Sequence, residues 1–220
     1  MRIALIHALR HSPPPIEAAF ARAWPEAVLM NLLDDSLSAD LARAGSLTPA
    51  MTGRFLALSR YAAGTGADGI LFTCSAFGPC IDAVAAERAP MPVLKPNEAM
   101  IDEAVAEARR LAGPGRRPRI GLLATFQPTL ETMPPEFPAE VTVVPQLAAG
   151  ALAALDRGDA AEHDRLAAEA ARALADCDVI ALAQFSLARA APLVEAATGR
   201  PVFTTPDSAV RKLRRLLAPG

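Results

Sequence analysis

The chain has 220 residues, 52% hydrophobic and 21% charged, which fits a globular protein large enough to bury a real core. Basic and acidic side chains nearly balance at 22 against 24, and a net charge of −2 gives no electrostatic reason to expect nucleic acid or an acidic membrane surface as partner. No apolar stretch approaches the roughly 18–20 residues of a membrane span, and the start MRIALIHAL lacks the pattern of a signal peptide.

Strand-like and helical patterns alternate along the chain. RIALIHAL (2–9) is followed by a helical pattern at Ile16–Trp24, then AVLMNLL (27–33). A helix over Pro49–Ala63 follows, with Thr48 as N-cap and Pro49 in the first turn. GILFTC (69–74), a helix at Ala76–Glu87, PVLK (92–95) and a helix at Glu98–Leu111 complete the first half. The second half reads RIGLLAT (119–125), VTVVP (141–145), helices at Leu147–Leu155 and Ala160–Leu174, VIALAQ (179–184), a helix at Leu187–Ala197, PVFTT (201–205) and a basic amphipathic helix at Ser208–Leu217. Continuous apolar strands between helices imply a parallel sheet buried on both faces, so the fold class is α/β.

The chain repeats itself. RIALIHA at 2 matches RIGLLAT at 119, DGILFTCSA at 68 matches DVIALAQFS at 178, and PVLKPNEAM at 92 matches PVFTTPDSAV at 201. Order and offset are preserved, which implies two similar parallel-sheet lobes from an internal duplication: 1–98 with 206–220, and 99–205. The Gly-, Pro- and Arg-rich AGPGRRPR (112–119) reads as the linker between the copies. Ligands of such sheets bind beyond the carboxyl ends of the strands. The expected site is therefore a cleft between the lobes, lined by HALRHS, TCSA, ATFQPT and AQFS.

The expected centre of that site is Cys74, which ends a strand and opens a helix. A helix N-terminus favours a thiolate and lowers its pKa. Cys80, within the following helix, and Cys177, ahead of a strand, read as packing residues; three cysteines without paired spacing fit reduced thiols in a cytoplasmic protein. His7 and His11 follow the first strand and suit acid–base work near neutrality, and Arg10 between them suits a carboxylate. Ser75, Ala76, Thr125, Gln127, Phe185 and Ser186 lie in the strand-to-helix turns where backbone N–H groups and small hydroxyls meet an anion. His163, in GDAAEHDRLA, reads as an exposed helix residue.

Strand–Cys–Ser–Ala in the first half, the matching strand–loop in the second and the two PV segments resemble the aspartate/glutamate/hydantoin racemase superfamily, which includes arylmalonate decarboxylase and maleate isomerase. The resemblance implies two facing α/β lobes, no cofactor and no metal, and a small carboxylate substrate. A homodimer is common in that family. In its racemases a cysteine from each lobe flanks the acidic carbon of the substrate. Here the alignment of the repeats puts Gln184 where the second cysteine stands. An amide has no useful acid–base pKa, so the expectation is a one-thiol enzyme. It is an isomerase first and a decarboxylase second, with Gln184 donating a hydrogen bond to a developing oxyanion. A small-acid binding protein is the alternative outside catalysis. A nucleotide binder is disfavoured, since no glycine-rich phosphate loop is present.

Overall fold

The computed structural model describes residues 1–218; Pro219 and Gly220, the end of the segment assigned to the first lobe, lie outside the described residues. The chain divides into two compact units, Met1–Pro96 with Ala209–Gly220, and Asn97–Ser208. The first unit contains β1 (Arg2–His7), α1 (Pro13–Ala23), β2 (Val28–Leu33), α2 (Ser36–Ala44), α3 (Pro49–Gly64), β3 (Gly69–Phe72), α4 (Gly78–Arg88) and β4 (Val93–Leu94). The second contains α5 (Glu98–Ala112), β5 (Arg119–Ala124), α6 (Gln127–Thr132), β6 (Thr142–Leu147), α7 (Ala151–Asp156), α8 (Ala160–Ala171), β7 (Val179–Leu182), α9 (Ala191–Thr198) and β8 (Val202–Thr204). Helix α10 (Thr205–Leu217) begins in the second unit and ends in the first.

Each unit is an α/β fold around one four-stranded, wholly parallel sheet, in the order β2-β1-β3-β4 and β6-β5-β7-β8. The two sheets match in the register of their first three strands. Asp68 takes a hydrogen bond from the Arg2 N–H (2.7 Å) and returns its own N–H to Arg2 O (2.8 Å); Asp178 does the same with Arg119 (2.8 and 2.9 Å). Ile70 N–H reaches Pro92 O as Ile180 N–H reaches Pro201 O, both at 2.9 Å. Thr73 N–H reaches Ile6 O at 3.1 Å as Ala183 N–H reaches Leu123 O at 2.9 Å. The repeat read from the sequence is thus a repeat of register.

Several elements differ from the sequence reading. Helix α2 was not foreseen; Leu37 buries its first turn and Gly45, at φ +71°, ends it in the left-handed conformation that glycine tolerates best. The run from Leu147 was read as helical, but β6 extends through Leu147 and the helix waits for Gly150, at φ +80°. The helix read from Ala76 begins as a single 3-10 turn, Ser75–Phe77, and becomes α-helical only at Gly78. The stretch 112–119 is no linker between units. It lies inside the second, where Arg116 pairs with Asp178 and Arg117 donates to the carbonyls of Ala139 and Val141.

The core of the first unit fixes its strand ends. Phe55 of α3 stacks on Phe72 at 5.1 Å between ring centroids and meets Phe77 at 4.9 Å, which pins the 3-10 turn onto the sheet. On another part of the sheet, Leu213 and Leu217 of α10 lie over Gly69, where an added Cβ would come within 3.1–3.2 Å of them. Among the described residues no helix is long and apolar enough to cross a membrane.

Leu213 is fully buried, so Leu213→Ala is expected to destabilise the first unit by about 2–5 kcal/mol, read from urea unfolding.

Candidate functional site

In a parallel sheet ordered β2-β1-β3-β4, the chain winds outward in opposite directions from β1 and β3, and the crevice beyond their carboxyl ends is the place for a ligand. In the first unit those ends are His7–Ala8 and Thr73–Cys74. Cys74 has extended backbone (φ −126°, ψ 117°) and leads straight into the 3-10 turn. It is half-buried, whereas Cys80 and Cys177 are 0% and 1% exposed and sit in packed cores, as expected for them.

Burial pushes the Cys74 thiol up from its ordinary range, against the expected lowering; the polar groups of Ala76 and Ser38 pull the other way less strongly. The physical reason is local. The α-helix starts four residues further on, beyond the reach of much of its terminal field, while the surrounding side chains keep water from the sulfur.

His7 is not a loop residue beside the thiol. It is the last residue of β1, 1% exposed, with both ring nitrogens engaged. Asn31 donates Nδ2–H to Glu17 Oε1 (2.7 Å), which turns its Oδ1 toward His7 Nε2 (2.9 Å). Nε2 therefore carries the proton, and Nδ1 accepts from the Thr73 hydroxyl (2.8 Å). Burial lowers the His7 pKa; the Asn31 hydrogen bond and the Glu17 charge oppose this less strongly. The residue is a neutral strut between strand ends and not the thiol's acid–base partner.

Arg10, expected to meet a carboxylate, instead pairs with Asp35, Nε to Oδ2 at 2.5 Å, because α2 brings that acidic side chain up to it. His11 and Ala76 are exposed, and Ser75 is half-buried beside Cys74. Among the described residues no group of three or more His, Cys, Asp or Glu side chains is placed to hold a metal ion.

In the second unit the equivalent ends are Ala124–Thr125 and Ala183–Gln184. Gln184 occupies the position in its sheet that Cys74 occupies in the first, two residues past the last paired residue of the third strand. Its Oε1 accepts from both the Thr125 N–H (2.7 Å) and the Thr125 hydroxyl (3.1 Å). That spends the Thr125 groups expected to bind substrate. It also fixes the amide so that Nε2 presents its two donors, with no partner among the described residues. Gln127 is exposed and weakly linked to Glu131 (3.4 Å); Ser186 is half-buried; Phe185 turns its ring inward, 4% exposed, and offers only backbone to a ligand.

His163 corrects the sequence reading outright. It is 0% exposed, its Nδ1 lies 2.8 Å from Asp164 Oδ1, and its Nε2 has no partner. Asp164 in turn accepts from Arg189 Nε at 2.9 and 3.0 Å.

Sequence reasoning missed Thr73, Asn31 and Ser38. Alternation along β3 placed Thr73 opposite Cys74 in direction, which pointed to a buried hydroxyl. Ser38 was hidden because α2 was not foreseen, although Leu37 and Leu41 carry a helical spacing and Gly45 a stop.

Two outcomes follow from this geometry. A buried His whose pKa is depressed contributes stability that is complete above about pH 6.5 and is lost as pH falls through the folded-state value, so His7→Gln is expected to flatten the dependence of urea-unfolding stability on pH between 7.5 and 5. Gln184→Leu strands the buried Thr125 N–H and should cost about 1–3 kcal/mol, whereas Gln184→Glu keeps the acceptor and should cost less at pH 7.

No family model and no curated protein matches the sequence. Solved structures match the fold over nearly the whole chain. Allantoin racemase from Klebsiella pneumoniae has a TM-score of 0.72 at 20% identity, covering 99% of this chain and 87% of that one. Arylmalonate decarboxylase has 0.67 at 20%, covering 100% and 94%. Glutamate racemase from Francisella tularensis, in complex with D-glutamate, has 0.69 at 13%, covering 98% and 80%. The two similar α/β lobes of this chain have the fold of these two racemases and this decarboxylase.

Proposed function

We propose that this chain is an enzyme of the racemase-superfamily kind that moves a proton at the carbon beside the carboxylate of a small acid, without a cofactor, using the Cys74 thiol. One observation carries the reading. Cys74 is the half-exposed cysteine at the carboxyl end of the third strand, where this sheet topology brings ligands, while the other two cysteines are sealed in cores. The shared fold with two racemases and a decarboxylase supports it.

Isomerisation is the first reading. The thiol, once ionised, takes the proton from the acidic carbon, and the electron pair delocalises onto the carboxylate as a planar enediolate. The thiol's proton exchanges with solvent, and the enediolate turns in the site so that the thiol protonates its opposite face to give the isomer. The second reading, decarboxylation of a malonate-type acid, is favoured by the direction of the thiol's pKa. A thiol pushed up by burial is protonated at neutral pH and is a proton donor at rest. In that reaction the carbon–carboxyl bond breaks, carbon dioxide leaves, its electron pair stays on the remaining carbon as an enediolate, and Cys74 gives that carbon its proton; water restores the thiol. Gln184, whose amide is held as a donor, suits a carboxylate oxygen at the strand end of its own unit.

The test is a panel of amino acids, hydroxy acids, hydantoins and arylmalonates in deuterated buffer. Deuterium entry at the carbon next to the carboxylate without gas release identifies the isomerase, and carbon dioxide release identifies the decarboxylase. Cys74→Ala is expected to lower either rate by about 10²–10⁴-fold. Turnover that survives Cys74→Ala, or binding of a small acid without exchange or gas release, overturns the thiol mechanism.

A further inference from the structure

We infer that this chain pairs with a second copy of itself along the open edge of β2, the two strands lying antiparallel about a two-fold axis at Asn31. The pairing uses the first unit alone and does not depend on the reaction.

Strand register decides which groups are open. β2 is the end strand of its sheet, and the N–H groups of Val28 and Asp34 go to the carbonyls of Met1 and His7 on the β1 side. In this parallel register the even residues from 28 to 34 therefore face β1, while Leu29, Asn31 and Leu33 turn N–H and C=O outward. Among the described residues no group of the chain takes those outward bonds. The three positions are symmetric about Asn31. A second β2 running the other way meets them as hydrogen-bonded pairs, Asn31 with Asn31 and Leu29 with Leu33, and every outward N–H finds a carbonyl. Side chains then meet in kind, leucine on leucine and, on the other face, Met30 opposite Leu32.

The duplicated sheet shows that this edge is unguarded. The strand VLMNLL has no charge and no proline, and Val28 and Leu33 are 55% and 47% exposed. Edge strands ordinarily carry such residues because an open apolar edge templates another strand. β6, the matching edge of the second sheet, carries one. Pro145 pairs with Leu122 as Asn31 pairs with Leu5, so it stands at the register position of Asn31. The Thr142 and Ala148 N–H groups go to the β5 side, which turns residue 145 outward, and proline removes the central donor of that edge. One edge is blocked at the position where its twin is complete.

Charge and size fit a second copy. Asp34, which comes opposite Val28 of the other copy, is already held by Arg54. A net charge of −2 on each copy opposes contact only weakly. Glu17 accepts from Asn31 Nδ2 and so approaches its counterpart near the axis, a repulsion that salt screens. A strand of six residues is about 20 Å long, and its edge buries less than the standard interface of about 1,600 Å². The dimer is therefore weak and concentration-dependent.

The experiment is sedimentation velocity of the full chain from about 5 to about 500 µM, a span suited to a small interface, with amide hydrogen exchange at both ends of the range. Dimer should grow with concentration and with sodium chloride, and exchange should slow at Leu29, Asn31 and Leu33 but not at Val143 and Leu147 of β6. Leu33→Lys puts a charge on the edge at an exposed position and should raise the dimer Kd by about tenfold or more. Leu147→Lys, its register counterpart on β6, should leave Kd unchanged. Asn31→Pro copies the blocked edge and should abolish the dimer; because Asn31 also holds His7, its fold is checked by circular dichroism, and Leu33→Lys carries the test if it fails. A monomer at every concentration, a dimer that survives Leu33→Lys, unchanged exchange at the β2 amides, or association that weakens as salt rises overturns the inference.

Discussion

The hydrogen-bonded register between the first and third strands of each lobe decides which side chains reach the ligand end of the sheet. At the amino end an aspartate closes the pair, Asp68 on Arg2 and Asp178 on Arg119; at the carboxyl end Thr73 bonds Ile6 and Ala183 bonds Leu123. Side chains alternate direction along a strand, so a slip of one residue exchanges inward and outward sets. In the first lobe such a slip would take the Thr73 hydroxyl off His7 and put the Cys74 sulfur in the polar seam instead. His7, held between Thr73 and Asn31, is a further pin on that register, which explains a buried imidazole at a strand end.

The state of the thiol is a contest between desolvation and a few neutral donors, and desolvation wins. The intuition that a cysteine opening a helix has a low pKa depends on the helix starting at once. Here Phe77 must dip into the core against Phe55, and the chain makes a 3-10 turn to let it do so. Packing thus sets the electrostatics. The ring that anchors the loop delays the helix, and the sulfur keeps its proton at neutral pH.

The strands were legible because burial on both faces leaves an unbroken apolar run, and the duplication was legible because the same runs recur in order. Lobe architecture followed from these two signals. What was hidden depends on direction and on three dimensions. Whether His7 points into the sheet seam or toward solvent is settled by register, not by its place after an apolar run. His163 was misread from its polar neighbours Glu162, Asp164 and Arg165, yet it shares a spacing of four with Ala167 and Ala171, both fully buried, which marks the inner stripe of α8. The partner of Arg10 could not be read at all, because it lies on a helix whose start, Asp35–Ser36, looks the same as a polar loop.

The matching register of the first three strands in the two sheets makes their differences informative. At equivalent positions the first lobe carries His7, Thr73 and Cys74, and the second carries Ala124, Ala183 and Gln184. The first set contains a titratable ring in a hydrogen-bonded seam and a thiol. The second contains two alanines and an amide that cannot exchange a proton near neutrality. Thr125 does not make up the deficit, since its hydroxyl and N–H are both given to Gln184. On the proposed reading, proton transfer is therefore a property of the first lobe alone, and the second lobe keeps only what the scaffold supplies to any anion, a fixed donor at a strand end. The sequence change that matters most between the halves is the one from thiol to amide at a position the backbone left untouched.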